Sequence, residues 1–236
     1  MKIALLGYGK MGREVEQIAL ERNHEILLKI DSQTEIDTKS LSKAEVAIDF
    51  STPSSATYNI LKCFDVNVPI VVGTTGWSDK LEDIKQVCLE KDQTLFYASN
   101  FSIGVNVFFE LNRKLAQLMN KHTSYDVSIE ETHHTQKLDA PSGTSITLAN
   151  EITGTLDRKS KWVNNESTTD TDIHIASIRK DDVTGTHIVK YFSDIDSFEI
   201  KHEANSRKGF AMGAVLAAEW LIEKQGVFTM RDFLKL

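Results

Sequence analysis

Cysteine, proline and surplus positive charge are all scarce in this chain. Its two cysteines, Cys63 and Cys88, make neither a disulfide framework nor a metal-ligand spacing, and a reducing compartment suits them. Three prolines in 236 residues exclude a proline-rich linker. Lysine and arginine number 27 against 34 acidic residues, a formal net charge of −7. That balance argues against a nucleic-acid binder, which carries a basic face. No apolar run approaches the ~20 residues that cross a bilayer, so no membrane partner is expected. The opening run Met1–Leu6 starts like an export signal but stops at Gly7 and meets Lys10 and Arg13, leaving its apolar segment too short. A cytoplasmic protein is the expectation. What is present is ordinary globular material, 41% hydrophobic and 26% charged, long enough for one large domain or two modest ones.

The first hundred residues alternate in type. Apolar runs at 2–6, 25–30, 45–50, 68–72 and 94–98 read as strands. Segments 11–21, 55–64 and 78–91, with apolar residues at helical spacing, read as helices. Such alternation implies a parallel sheet with helices on both faces, which is why its strands are apolar nearly throughout. The strand ends are Gly7, Asp31, Ser51-Thr52, Gly73-Thr74-Thr75 and Ala98-Ser99-Asn100, all small or polar. Open parallel sheets bind ligands at that edge. Turn chemistry favours the same residues in any one loop, but five such loops together favour a ligand.

Gly7-Tyr8-Gly9-Lys10-Met11-Gly12 matches the dinucleotide glycine motif. Alone the match is weak. Here it follows a strand and opens a helix, and Asp31 ends the next strand nineteen positions after Gly12. Each part has a function in that setting: Gly7 for a tight turn, Gly9 for close approach of a pyrophosphate, Gly12 for helix–strand packing, Asp31 for ribose hydroxyls. Free N–H groups at the helix start would face the phosphates.

After Asn100 the alternation breaks. A long helix is expected over 102–120, a strand over 125–130 and a helix over 141–152, with Pro141 in its first turn. Residues 159–172 are polar and read as a mobile loop or disordered insert. Segments 173–179, 186–192 and 195–202 read as consecutive antiparallel strands. An Ala-rich helix over 209–223 and a short one over 230–235 close the chain. The fold class is therefore α/β: a Rossmann-like dinucleotide-binding domain over 1–101, completed by 207–236, and an α+β domain over 102–206 with a mostly antiparallel sheet.

Within the second region lies Glu131-Thr132-His133-His134-Thr135-Gln136-Lys137-Leu138-Asp139-Ala140-Pro141-Ser142-Gly143-Thr144. Two histidines and a lysine supply protons and positive charge. Ser142, Gly143 and Thr144 at a helix start offer N–H groups and hydroxyls to a carboxylate. The stretch reads as a pocket for an acidic substrate with its own proton donors. A surface loop with incidental histidines is the plainer reading. A metal site built from His133, His134, Glu131 or Asp139 is disfavoured, because neighbours on an extended chain point apart and Lys137 would repel a cation; no metal is expected.

Residues 131–144 resemble the signature of the dihydrodipicolinate (4-hydroxy-tetrahydrodipicolinate) reductase family, E-x-H-H-x-x-K-x-D-x-P-S-G-T, throughout. The resemblance extends over the whole chain, through Asp49-Phe50-Ser51-Thr52-Pro53, Gly73-Thr74-Thr75-Gly76, residues 100–106, Gly185-Thr186-His187, residues 202–207 and residues 210–214. It implies NADH- or NADPH-dependent reduction of a cyclic dicarboxylate with loss of water, in lysine and diaminopimelate biosynthesis. It implies His133 and Lys137 as proton donors, and His134, Gly143 and Thr144 as substrate contacts. Gly7, Tyr8, Gly9, Lys10, Met11, Gly12 and Asp31 would hold the pyrophosphate and adenosine. Gly73, Thr74, Thr75, Ala98, Ser99, Asn100 and Phe101 would line the nicotinamide end. It also implies a homotetramer joined through the second domain's sheet. A substrate pocket in the second domain must meet a cofactor in the first, and hinges near 100–102 and 205–208 would allow that closure. Where many members have arginine after the ribose-binding acid this chain has Ser32, and where many have an acid it has Ser128. Other functions consistent with the residues are a different two-domain dehydrogenase of amino-acid precursors, and a dinucleotide sensor without catalysis. A sensor needs no proton donors, which weighs against it here.

Overall fold

Every apolar run of the first hundred residues forms a strand. The computed structural model describes residues 1–164 and 169–236. In chain order, β1 (Lys2–Leu6), α1 (Lys10–Glu21), β2 (Glu25–Ile30), a short α2 (Thr38–Leu41), β3 (Val46–Asp49), α3 (Pro53–Asp65), β4 (Ile70–Val72), α4 (Leu81–Glu90) and β5 (Thr94–Tyr97) come first. Next are α5 (Ile103–Met119), β6 (Asp126–His133), α6 (Gly143–Thr153), β7 (Lys161–Val163), β8 (Asp172–Arg179), β9 (Gly185–Phe192) and β10 (Ser197–Ala204). The chain closes with α7 (Lys208–Leu221), β11 (Gly226–Phe228) and α8 (Met230–Leu234). Two compact units result, Met1–Ile103 with Lys208–Leu236, and Gly104–Arg207.

The first unit is a six-stranded sheet in the order β11-β5-β4-β3-β1-β2, parallel at every pairing. Alternate side chains of its strands enter two different cores. Ile3, Leu5, Val46, Ile48, Val71 and Phe96 pack with α1, α7 and α8. Ala4, Leu6, Ala47, Ile70, Val72 and Leu95 pack with α3 and α4. A sheet covered on both faces needs strands apolar nearly throughout, as the central runs here are, with Lys2, Glu25 and Lys29 at exposed positions and Asp49 closing β3. β1 continues to β2 on one side and has β3 on the other, so the strand order reverses beside the end of β1, where open sheets form a ligand crevice. Edge strand β11 was not foreseen. Its three residues carry no periodicity of their own, and they form a strand by pairing with Thr94–Phe96.

The second unit is a five-stranded sheet in the order β10-β9-β6-β8-β7. β9–β10 and β6–β9 are antiparallel, whereas β6–β8 and β7–β8 are parallel. The sheet is thus mixed, and the expected run of consecutive antiparallel strands holds only from β9 to β10. β8 and β9 are not neighbours, because β6 lies between them. The inward face begins apolar, with Val127, Ile129, Ile173, Ile175, Val189 and Tyr191 packed on α5 and α6.

Residues 159–164 and 169–172 correct the expectation of a mobile insert. Buried Lys159 pairs with Asp126 at 2.5 Å and donates to the carbonyls of Asp170 and Asp172 at 2.7 and 2.9 Å. β7 follows it and pairs with β8. Residues 165–168 of that stretch lie outside the described residues. Pro141 also departs from expectation. The cap of α6 is Ser142, whose side chain accepts from the Ser145 N–H, so Pro141 precedes the helix.

Candidate active site

The glycine motif of the first unit forms a tight turn into α1 that could hold a phosphate. Gly7 has φ +93°, a conformation open to glycine, and a Cβ there would lie 2.3 Å from the Phe50 carbonyl oxygen. Gly12 packs so closely that a Cβ would lie 2.5 Å from the Gly7 carbonyl oxygen. Gly9, by contrast, faces open space within 4 Å. It caps α1 with no side-chain bond to the helix's first N–H groups, which leaves them for an anion. Gly7, Tyr8, Gly9, Asp31, Ser32, Ser51 and Thr52 line one cavity of about 640 Å³. Met11, Gly73, Thr74 and Thr75 line a second of about 280 Å³ that shares Ser51 with the first. Thr74, Thr75, Ala98 and Ser99 line a third of about 330 Å³ with Trp77 and Tyr97. These hollows run along the carboxyl edge of the sheet, and the chain's residues fit a dinucleotide there.

Several expected contacts take a different form. Asp31 uses Oδ1 to accept from the Gln33 N–H at 3.0 Å and the Thr34 hydroxyl at 2.7 Å, and those bonds hold its carboxyl below the ordinary range. The Thr74 hydroxyl donates to Asp49, so what it can offer a ligand is backbone. The Phe101 ring is buried against Phe50 and Phe96, where it serves the core. Asn100 accepts from the Ser102 N–H at 2.8 Å. Lys10 is an exposed residue in the first turn of α1.

Beneath the cavities lies a polar knot that the sequence reading missed. Asp49 is completely buried and accepts from Thr74 at 2.5 Å, Asn59 at 2.6 Å and the Ser51 N–H at 3.1 Å. Burial pushes its carboxyl up, while those donors oppose the rise. One carboxylate therefore ties the loop after β3 to the loop after β4. A polar residue closing the apolar run 46–48 was its only sequence signal.

In the second unit the inward face of the sheet turns polar toward the end of β6. Val127 and Ile129 are followed on the same face by Glu131 and His133, all buried. Cross-strand register sets Ser177 and His187 beside Glu131 and sets Arg179 beside His133. Glu131 bonds Nδ1 of His133 through Oε2 and accepts from Arg179 at 2.9 Å through Oε1. Burial alone would raise its carboxyl, but bonds from His133, Ser177 and Arg179 outweigh burial and lower it to about 2. An ionised carboxylate thus fixes the His133 ring and leaves Nε2 as its working nitrogen. A Cβ at Gly185 would stand 3.0 Å from that nitrogen, so glycine there keeps room for the ring. Lys137 follows in a turn, its ammonium bidentate on Asp139 at 2.7 Å to each oxygen.

The start of α6 joins the same site. Ser142 bonds Nε2 of His187 at 3.0 Å, and the His187 ring stands edge-on to His133 with centroids 5.1 Å apart. His187 is buried, its Nδ1 has no partner among the described residues, and burial pushes its imidazole down to about 3. With Ser142 occupied by His187 and the cap, the free anion ligands are the backbone of Gly143, which has open space within 4 Å, and Thr144. His134 lies apart from His133, in a polar hollow of about 300 Å³ with Asp181, Asp182 and Arg207. Among the described residues, Glu131, His133 and His187 bring ligand-type atoms within 4.8 Å of one another. Arg179 already neutralises Glu131 there, so the set suits proton handling better than a cation.

Comparison with known proteins decides the lineage. Residues 1–101 match the family described as "Dihydrodipicolinate reductase, N-terminus", and residues 104–234 match "Dihydrodipicolinate reductase, C-terminus". The chain belongs to the dihydrodipicolinate reductase family. A 4-hydroxy-tetrahydrodipicolinate reductase of Christiangramia forsetii is 50% identical over 99% of this chain and 98% of its own. One from Neisseria gonorrhoeae is 34% identical over 100% of this chain and 98% of its own. A dipicolinate-bound dihydrodipicolinate reductase from a Paenisporosarcina species superposes with a TM-score of 0.76, at 25% identity over 97% of both chains.

The reading of residues 131–144 singled out His133, which the structure sets against buried Glu131, while it did not reach Arg179, Gly185 and His187, which the fold places beside that pair. The missed signal was periodicity. Arg179 continues the inward series Ile173, Ile175, Ser177, and His187 interrupts Val189 and Tyr191 on theirs. A charged or imidazole side chain on an otherwise apolar face needs a buried partner.

Proposed function

We infer that the chain catalyses NADH- or NADPH-dependent reduction of 4-hydroxy-tetrahydrodipicolinate to tetrahydrodipicolinate with loss of water, a step of lysine and diaminopimelate biosynthesis. The observation that carries this reading is the buried Glu131–His133 pair beside the open start of α6, in a family member whose first unit has hollows along its sheet edge that fit a dinucleotide. When bound, the reduced nicotinamide supplies a hydride. The α1 N-terminus, Gly9 and Asp31 hold and orient the dinucleotide, with Tyr8, Met11, Gly73, Thr75, Ala98, Ser99 and Asn100 along the same edge. Glu131 holds His133 by Nδ1, so that Nε2 can carry a proton toward the reacting ring. The Lys137 ammonium is the second donor, and it meets a substrate carboxylate by giving up part of its grip on Asp139. Positioned acids of this kind contribute ~10²–10⁴-fold. Gly143 and Thr144 bind a carboxylate with backbone N–H groups, and His134 contacts the substrate from its hollow. The dipicolinate held by the Paenisporosarcina relative supports a small dicarboxylate.

Assembly as a homotetramer through the sheet of the second unit belongs to the same reading, as does a cytoplasmic setting. Half-exposed Ile178 and Phe192 support an interface, and no helix among the described residues is long and apolar enough to cross a membrane. A non-catalytic sensor would have no use for a buried ionised carboxylate aimed at an imidazole. The test is to supply enzymatically generated substrate with NADH or NADPH and follow absorbance of the reduced nicotinamide. Substrate-dependent oxidation is expected, and its absence with both cofactors would overturn the reading. Size-exclusion chromatography with light scattering checks the tetramer.

A further inference from the structure

Arg179 ends β8 with its guanidinium engaged on every side. Nη1 donates to Glu131 Oε1 at 2.9 Å and to the Ile178 carbonyl at 2.8 Å. Nη2 donates to the Asp139 carbonyl at 2.7 Å, and Nε to the Lys137 carbonyl at 3.3 Å. The other oxygen of Glu131 holds His133, and the Asp139 carboxylate grips the Lys137 ammonium. One planar cation therefore touches the carboxylate that aims the imidazole, the backbone of the residue that bears the ammonium, and the backbone of the residue that clasps it.

These contacts join parts of the chain that nothing local would hold together. Glu131 lies on β6, Arg179 arrives from β8 some 48 residues later, and Lys137 and Asp139 sit in the turn between β6 and α6. The His133–Arg179 register pair brings the guanidinium level with the imidazole. Rigid donors set in a fork suit these four acceptors in fixed directions, whereas the single ammonium of a lysine could satisfy Glu131 without also spanning the Lys137 and Asp139 carbonyls.

We propose that Arg179 is a positioning residue that fixes the Lys137 ammonium relative to the His133 imidazole, so that both proton donors address one bound substrate. The proposal rests on the roles given above to Lys137 and His133. Misplacing a reacting group by about 1 Å can cost ~10²-fold in rate, so a partial loss of alignment is visible in kcat.

A double-mutant cycle in the full-length enzyme tests it, with Arg179→Lys, Lys137→Ala and the two combined. For each, kcat, KM for the dicarboxylate, Kd for NADH and the urea midpoint are measured. Arg179→Lys should lower kcat about tenfold or more and leave the NADH Kd within about twofold. Once Lys137 is gone there is less left to position, so the same change in the Lys137→Ala background should cost less than about threefold. An equal factor in both backgrounds would make Arg179 a general scaffold residue and overturn the proposal, as would a normal kcat in Arg179→Lys. Near-normal turnover of Lys137→Ala alone would instead remove Lys137 from the mechanism, and the proposal with it, so the two failures are told apart. Should Arg179→Lys not fold, Arg179→Gln, which keeps a donor for the Asp139 carbonyl, runs the same cycle with the same deciding comparison.

Discussion

Lys137 is held by both oxygens of Asp139, and that clasp sets what its loss should do. A lysine paired on an exposed surface contributes little to stability, so Lys137→Ala should fold as the parent does. Its kcat should nevertheless fall by ~10²-fold or more, the share of one positioned acid, with the NADH Kd unchanged; steady-state kinetics and NADH titration check both. His133 differs because a buried carboxylate stands behind it. His133→Ala would leave Glu131 with Arg179 and Ser177 but without one of its bonds, and losing a hydrogen bond to a buried charged group costs ~1.5–3 kcal/mol, so lost activity should come with lost stability. Cofactor choice is also decided by single residues. The cavity around Asp31 is lined by Ser32, Thr34 and a second acid, Glu35, and no lysine or arginine is among its lining residues. Lys29, the nearest cation on β2, is paired with Glu16 at 2.5 Å. A 2′-phosphate would meet negative charge there, so NADH should be used at least as well as NADPH. A preference for NADPH above about tenfold in kcat/KM, roughly 1.4 kcal/mol, would contradict this.

Helices α1 and α7 approach the first unit's backbone through glycine, in opposite ways. At Gly213 of α7 a Cβ would lie 1.8 Å from the Phe101 carbonyl oxygen, and a backbone carbonyl cannot swing aside. Gly213→Ala should therefore push α7 off the sheet at a cost of about 1–3 kcal/mol, read as a lower urea midpoint. At Gly9 a Cβ meets nothing within 4 Å, and the backbone has φ −90°, which alanine tolerates. Gly9→Ala should keep its stability and lose about tenfold or more in NADH affinity, because the methyl occupies the space left for the pyrophosphate. Equal stability loss in both variants would show that Gly9 is structural. Which elements could be read from the chain follows the same division between local and distant causes. β1 to β5 with α1, α3 and α4 were legible because the strands of a covered sheet are apolar nearly throughout, whereas the four-residue α2 was not. β7 and β11, of three residues each, were not, since each exists by pairing with a neighbour remote in sequence. The placement of β6 between β8 and β9 is a property of the sheet, not of any segment. The site divides likewise: His133, Lys137, Gly143 and Thr144 share one contiguous motif, whereas Arg179 and His187 reach it only through cross-strand register.

Acid stability belongs to the whole molecule, and three buried groups pull on it in different directions. Glu131 titrates at about 2 in the native protein against 4.5 for the free group. Its contribution is present in full above pH 4.5 and is lost as pH falls toward 2. His187 titrates at about 3 against 6.5. Between those values the unfolded chain carries a proton that the native one refuses, so His187 also makes stability fall with pH, starting at 6.5. Asp49, raised by burial, takes up its proton earlier in the native state and works the other way. His187 and His202 are both imidazoles pushed down by burial, so their windows open nearest neutrality, and His187, lowered to about 3, should carry a large part of the first loss of stability on acidification. His187→Gln keeps a side chain able to bond Ser142 but removes the titration. Its unfolding free energy, from urea titrations at a series of pH values, should fall less steeply between pH 6.5 and 4 than that of the parent, by up to one proton, or ~1.4 kcal/mol per pH unit. Below pH 3 the two slopes should converge, because there both states of His187 are protonated. Parallel profiles across the whole range would mean that His187 is protonated in the native protein near neutrality, which would demand a partner for Nδ1 where none stands among the described residues.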